Sequence, residues 1–225
     1  MSIKARLTIL NFLEFAVWGA YLTSMGGYLA SVGLGEYIGY FYSVQGFVSI
    51  IMPALMGIVA DRWMQAQKVL SLCHFVAGCM MIIASFYCMN APETPDFSIL
   101  FTIYTLSVAF FMPTIALANS VSYNALDKAG MDAVKTFPPI RVFGTVGFII
   151  SMWIVDLCGW QTTSLQFLWS GILSVVLALY SLSMPKCAVN KDRARVGLVQ
   201  SLGLEAFKLF KNYRMALFFI FSMLL

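Results

Sequence analysis

The strongest constraint on this chain is a repeated length. Six stretches, residues 7–30, 37–60, 69–89, 97–121, 139–157 and 165–183, are nearly continuous in apolar side chains. Each is close to the ~20 residues that a helix needs to cross the hydrocarbon core of a bilayer. Lipid offers backbone amides no water to bond, so such segments must form helices or closed barrels. Long apolar runs without period-two alternation select helices. A seventh apolar stretch, 215–225, is too short to span and reads as the start of a further helix cut short.

The basic residues give these spans an orientation. Lys4 and Arg6 precede the first; Arg62 and Lys68 lie between the second and third; Lys128, Lys135 and Arg141 lie between, or just inside, the fourth and fifth; the remainder follow the sixth. The loops near 31–36, 90–96 and 158–164 carry acids and polar residues but no Lys or Arg. All 14 basic residues therefore fall on one side, which the positive-inside rule makes the cytoplasm, with the N-terminus cytoplasmic. The net charge of +4 then reflects topology, and no nucleic-acid partner is expected. Lys4 and Arg6 resemble a secretory n-region, but the run after them is too long and contains Glu14, so it reads as a retained helix.

The fold expected is all-α and polytopic. A six-helix bundle occupies 1–184, and a basic cytoplasmic linker, with an amphipathic surface helix at 198–210, occupies 185–214. The partial seventh helix is 215–225. The five cysteines are scattered through apolar stretches without metal-ligand spacing and read as small buried hydrophobes. No metal or cofactor is expected. The chain has no nucleophile elbow or phosphate loop, and its extramembrane segments are too short for a soluble catalytic domain, so an enzyme is the least favoured class.

Polar groups inside the spans carry the functional reading. The run FPPIRVFGTVGF at 137–148 reads as a helix opened by its two prolines, with Arg141 one turn inside. Arg141, Thr145, Phe148 and Met152 share one face, which reads as a ligand wall, and Gly144, Gly147 and Ser151 share an adjacent one suited to close helix packing. In the first span, Asn11, Glu14, Trp18, Tyr21, Met25 and Tyr28 form a stripe. A carboxyl at Glu14 must face protein or water. It reads either as a structural carboxyl paired near the cytoplasmic end or as a proton-coupling group. His74, the sole histidine, has no acid partner visible in the sequence and reads as packed and hydrogen-bonded in the bundle. In the fourth span, Asn119 and Tyr123 are one turn apart and are expected within reach of Arg141. Gly57 and Asp61 are one turn apart at a cytoplasmic helix end, followed by Arg62.

The run MPALMGIVADRW at 52–63 resembles the signature loop between helices two and three of the major facilitator superfamily, although Trp63, Met64 and Gln65 replace the glycine and further basic residues of that pattern. The resemblance implies a gating role for Gly57, Asp61 and Arg62. More specifically, FAVWGAYLTSMGGY at 15–28, MPTIALANSVSY at 112–123, AGMDAVKTFPPIRVFGTVGF at 129–148 and LGLEAFKLFKNYRMALFFIFSMLL at 202–225 resemble the nucleoside:proton symporter family of that superfamily, over essentially the whole chain. This implies proton-driven nucleoside import across the bacterial inner membrane. Its partners would be a nucleoside, a proton, the lipid bilayer and a missing C-terminal six-helix half. The family's fifth-helix arginine, threonine and phenylalanine match Arg141, Thr145 and Phe148, with Trp18, Asn119 and Tyr123 as a possible surrounding layer. Its coupling acid lies in later helices. The alternatives are a carrier of the same fold for a sugar or other small neutral solute, and a membrane structural protein in which Arg141 pairs with Glu14 or a loop acid.

Overall fold

The apolar segments fold as helices, and a computed structural model of the chain describes residues 1–91, 94–187 and 211–224. In order these are α1 (Ile3–Gly19), α2 (Met25–Ser31), a 3-10 turn (Gly35–Tyr37), α3 (Ile38–Arg62), α4 (Ala66–Asn90), α5 (Phe97–Lys128), α6 (Ala133–Leu157), α7 (Leu165–Leu182) and α8 (Tyr213–Leu224). Five of these segments, the 3-10 turn continuing into α3 together with α4 to α7, are long and apolar enough to cross a membrane. The surface helix expected at 198–210 lies outside the described residues.

The first span departs from expectation, since one helix over 7–30 was anticipated and two are found. The helical ladder reaches Ala20 N to Ala16 O and Leu22 N to Trp18 O, then resumes at Met25 N to Tyr21 O. Two side-chain contacts hold the join. Tyr42 donates its hydroxyl to the Leu22 carbonyl at 2.7 Å, and Ser24 donates to Gln166 Oε1 at 2.8 Å. The local sequence favours the break, because Gly19, Gly26 and Gly27 are poor helix formers.

The helix of the Arg141 run also begins earlier than its prolines suggested. Asp132 caps it, accepting from Val134 N at 3.0 Å and Lys135 N at 3.3 Å, so Pro138 and Pro139 fall in the second turn. The carbonyls they leave without helical partners belong to Val134 and Lys135, both exposed residues at the wet end.

Glycine sets how closely the helices approach. On α4 and α7, a Cβ added at Gly78 would lie 2.9 Å from the Gly171 carbonyl oxygen, and one at Gly171 would lie 2.8 Å from that of Gly78. Between α1 and α6 the approach is closer still. A Cβ at Gly147 would overlap the Phe12 carbonyl, and one at Gly19 the Phe148 carbonyl. Gly144 and Gly147 are buried against α1, as the small-residue face predicted, and the buried Ser151 accepts from Trp169 Nε1 of α7 at 3.1 Å.

Buried apolar side chains fall into two clusters. One, at the end where the chain starts, gathers Leu7, Leu10, Leu70, Cys73, Leu117, Val121 and Leu177. The other gathers Val17, Tyr21, Ala77, Met81, Tyr104, Phe111 and Phe167. Contacts at the first end tie α1, α5 and α7 together: Arg6 donates to the Ser183 carbonyl, Lys128 donates to the Lys186 carbonyl, and Tyr180 donates to the Arg6 carbonyl at 3.1 Å. By contrast, α3 buries only Phe41, Gln45 and Ala60, and leaves Phe47, Ile50, Ile51 and Leu55 exposed.

Gly147→Leu in the full-length protein should lower the detergent melting temperature, by overpacking worth at least about 1–3 kcal/mol. Gly57→Ala, where an added Cβ meets nothing within 4 Å, should leave it unchanged or slightly raised. Equal effects of the two would show that backbone contact between α1 and α6 does not limit stability.

Candidate functional site

One turn beyond its prolines, α6 projects Arg141 across the groove it forms with α1. The guanidinium lies over the Phe15 ring, with Cζ 3.8 Å from the ring centroid. Nη1 lies close enough to Gly144 that an added Cβ there would be 2.8 Å away. Among the described residues, no hydrogen bond or ion pair engages its donors. A cation–π contact is worth ~0.5–2 kcal/mol, less than the cost of a cation at depth in a membrane. The fork of Arg141 is thus held in place by a ring while its hydrogen-bonding capacity remains available.

Aromatic rings extend the wall. The Phe148 ring meets Trp18 edge-on at 6.3 Å and 88°, and Trp18 in turn packs on Phe15 and Phe111, each at 6.2 Å. Trp18 Nε1 donates to Gln45 Oε1 at 3.3 Å, and Gln45 Nε2 donates to the Tyr104 hydroxyl at 2.7 Å. Trp18 and Gln45 line a cleft of about 470 Å³ with Ser49, Pro53, Met112 and Asn119. Thr145 is exposed on α6 between Arg141 and Phe148. This surface offers cationic donors, a hydroxyl, an amide and flat aromatic edges, a combination suited to a planar ring bearing polar substituents.

Not every expected neighbour joins this group. Tyr123 packs on Phe137, ring centroids 4.7 Å apart, and Asn119 lines the cleft; neither hydrogen-bonds to Arg141. The cause is packing order, since α6 lies along α1 and touches α5 only lightly. Met152 lines a separate groove of about 480 Å³ with Thr23, Ser24, Trp153, Asp156 and Gln161. Gly57, Asp61 and Arg62 sit at the far end of α3, where the amides of Trp63 and Met64 both close on the Val59 carbonyl.

Behind the aromatic wall lies a buried polar network that the sequence did not disclose as a unit. Glu14 Oε2 is 2.8 Å from His74 Nε2, and the Thr114 hydroxyl, 2.6 Å from Glu14 Oε1 and 2.5 Å from the Phe111 carbonyl, shares its one hydrogen between those two acceptors. His74 Nδ1 is 3.0 Å from Ser174 Oγ, which donates to the His74 carbonyl at 2.9 Å. All four side chains are at most 1% exposed. The acid partner of His74 is therefore Glu14, and the pair joins α1 to α4. Their depths hinted at it: Glu14 is eight residues past Arg6 and His74 six past Lys68, about 12 and 9 Å from the same face at 1.5 Å per residue. Among the described residues, no group of three His, Cys, Asp or Glu side chains is placed to hold a metal ion.

The sequence model of the family described as Nucleoside H+ symporter matches residues 1–225. The chain is 44% identical over 227 residues to a xanthosine permease, and 43% identical over 228 residues to nucleoside permease NupG, both of Escherichia coli strain K12. Each alignment covers all of this chain and 53% of the relative, so the chain spans about half the length of the relatives it matches. Two crystal structures of nucleoside transporter NupG, one of them a mutant, superpose with TM-scores of 0.81 and 0.86 at 42% identity, each with 54% of the solved chain covered. The all-helical architecture is accordingly that of a major facilitator bundle, and the chain belongs to the nucleoside:proton symporter family.

Proposed function

We propose that the chain serves as the N-terminal half of a carrier that imports nucleosides together with protons across the bacterial inner membrane. The relatives named xanthosine permease and nucleoside permease support the substrate class. The observation that carries the reading is Arg141, a guanidinium held by Phe15 in an aromatic wall with its donors unused. In this reading it hydrogen-bonds base or ribose oxygens, Thr145 adds a hydroxyl contact and Phe148 packs on the base. No charge on the substrate is needed, because a fork of donors and π-faces reads a neutral heterocycle.

The second wall would come from a C-terminal six-helix half, and transport from rocking of the two halves about a site between them. Gly57, Asp61 and Arg62 would act at the cytoplasmic end as part of the gate. The basic residues at the first end of the bundle support a cytoplasmic N-terminus. The permease relatives support a carrier, not an enzyme.

Uptake of labelled uridine by cells expressing the full-length gene tests the substrate class. Unlabelled nucleosides should compete and sugars should not; competition by sugars alone would make this a sugar carrier. Arg141→Ala should weaken nucleoside binding about tenfold or more, the usual loss of hydrogen bonds from a charged donor, while the protein inserts and melts as before. Loss of expression or stability without a separate binding defect would instead indicate a structural role. Arg141→Lys keeps the charge but not the fork and should remain impaired. Phe148→Leu should cost ~3- to 10-fold in affinity by removing the stacking surface.

A further inference from the structure

Glu14, His74, Thr114 and Ser174 each come from a different helix, α1, α4, α5 and α7. Their hydrogens can be counted. A carbonyl cannot donate, so the hydrogen in the 2.9 Å contact between Ser174 Oγ and the His74 carbonyl belongs to Ser174. The Ser174 oxygen then accepts from His74 Nδ1, 3.0 Å away, and Nδ1 is protonated. The 2.8 Å contact between Nε2 and Glu14 Oε2 also needs one hydrogen. The Thr114 hydrogen lies between the Phe111 carbonyl, 2.5 Å away, and Glu14 Oε1, 2.6 Å away, so shared between them it asks no proton of Glu14 at Oε1. Whether the hydrogen of the Nε2–Oε2 contact rides on nitrogen or oxygen, the pair is then neutral as a unit.

Neither neighbouring charge state is comfortable. Without the shared proton, two lone pairs would face each other at 2.8 Å, with a net negative charge buried in the bundle. With an extra proton, a net cation would sit at a site at most 1% exposed. The other titratable groups facing the pair are Cys73 on α4 and Arg141 on α6, and Arg141 opposes any further positive charge. From α5 and α7 come only the hydroxyls of Thr114 and Ser174.

The network also lies directly behind the candidate site. Phe15, the ring under Arg141, follows Glu14 in the chain, and Trp18 is one turn further along α1. From the other side, Phe111 is 6.0 Å from the His74 ring and 6.2 Å from Trp18. Fixing Glu14 against His74 therefore fixes the part of α1 on which Arg141 rests.

We propose that Glu14 and His74 are a positioning pair for the Arg141 site, holding one proton between them throughout the transport cycle instead of exchanging it. The proposal rests on the nucleoside-carrier reading and concerns two buried residues that act through α1 and do not touch the ligand. Of the two roles the sequence allowed Glu14, it selects the structural one.

The test uses the full-length protein in proteoliposomes, with labelled uridine and adenosine as probes. Binding, counterflow exchange and uphill accumulation are measured from pH 5 to 8. Glu14→Gln can accept from Thr114 and donate to Nε2, reproducing the neutral pair. It should bind within ~3-fold of wild type, well under the tenfold that 1.4 kcal/mol would give, and keep both exchange and accumulation. His74→Leu leaves Glu14 Oε2 unpartnered and should weaken binding about tenfold or more. His74→Gln, which restores a donor to Glu14, should recover most of that loss. A Glu14→Gln protein that exchanges but no longer accumulates would overturn the proposal, since Glu14 would then release its proton during the cycle. Wild-type affinity in His74→Leu would also overturn it. If His74→Leu fails to fold, Glu14→Gln and His74→Gln still decide the matter. A wild-type protein that takes up no nucleoside would sink the carrier reading alone. The pair is then judged by melting temperature, where Glu14→Gln must match wild type and His74→Leu must fall below it.

Discussion

A single polar layer divides the interior of this bundle. Leu10 belongs to one apolar cluster and Val17 to the other, with Glu14 between them on α1. On α4, His74 lies between Cys73 and Ala77; on α5, Thr114 lies between Leu117 and Phe111. Apolar packing has little preference for one axial register in a membrane, because lipid tails are as apolar as the side chains they replace. A carboxyl that must meet an imidazole and a hydroxyl does prefer one register, since any slip strands it in hydrocarbon. The layer thus sets where along α4, α5 and α7 the first helix stops.

Lateral position is set differently. Gly19, Gly144 and Gly147 bring α1 and α6 to backbone contact, and Gly78 with Gly171 does the same for α4 and α7. Serines complete these seams: Ser170 donates to the Val17 carbonyl at 2.8 Å and Ser107 to the Ala77 carbonyl at 2.9 Å. Close approach is what lets Arg141, on α6, reach over a ring on α1 instead of a partner on α5.

Much of this architecture was legible in the sequence, for definite reasons. The helical type of the spans follows from apolar length and the glycine face of α6 from helical spacing, and both hold in the structure; the expected number does not, since the first span is two helices and five segments are long and apolar enough to cross a membrane. The start of α6 was misplaced because a proline pair is a strong stop signal, whereas Asp132 supplies a cap one turn earlier and the prolines cost only carbonyls that face water. The division of the first span was hidden because it rests on Tyr42 and Gln166, remote residues that hold the join. Of the site, the face bearing Arg141, Thr145 and Phe148 could be read from one helix. Its contact with Phe15 and the pairing of Glu14 with His74 depend on which helices are neighbours. Periodicity along one helix carries no information about that.

The polar groups buried in the bundle differ by location. Glu14, His74, Ser107, Thr114, Ser170 and Ser174 all bond within the bundle. In the proposed carrier, a half that rocks as a rigid body would gain from this, because satisfied polar contacts between its own helices resist internal slip. Arg141, by contrast, lies at the open groove of α1 and α6 with its donors unused. A cation without hydrogen-bond partners is costly in a membrane, and in the proposed carrier that cost would favour occupation by a ligand. The same energetic rule that makes the interior cohesive thus makes the seam receptive. What differs between Glu14 and Arg141 is which side of the Phe15–Trp18 layer each one occupies.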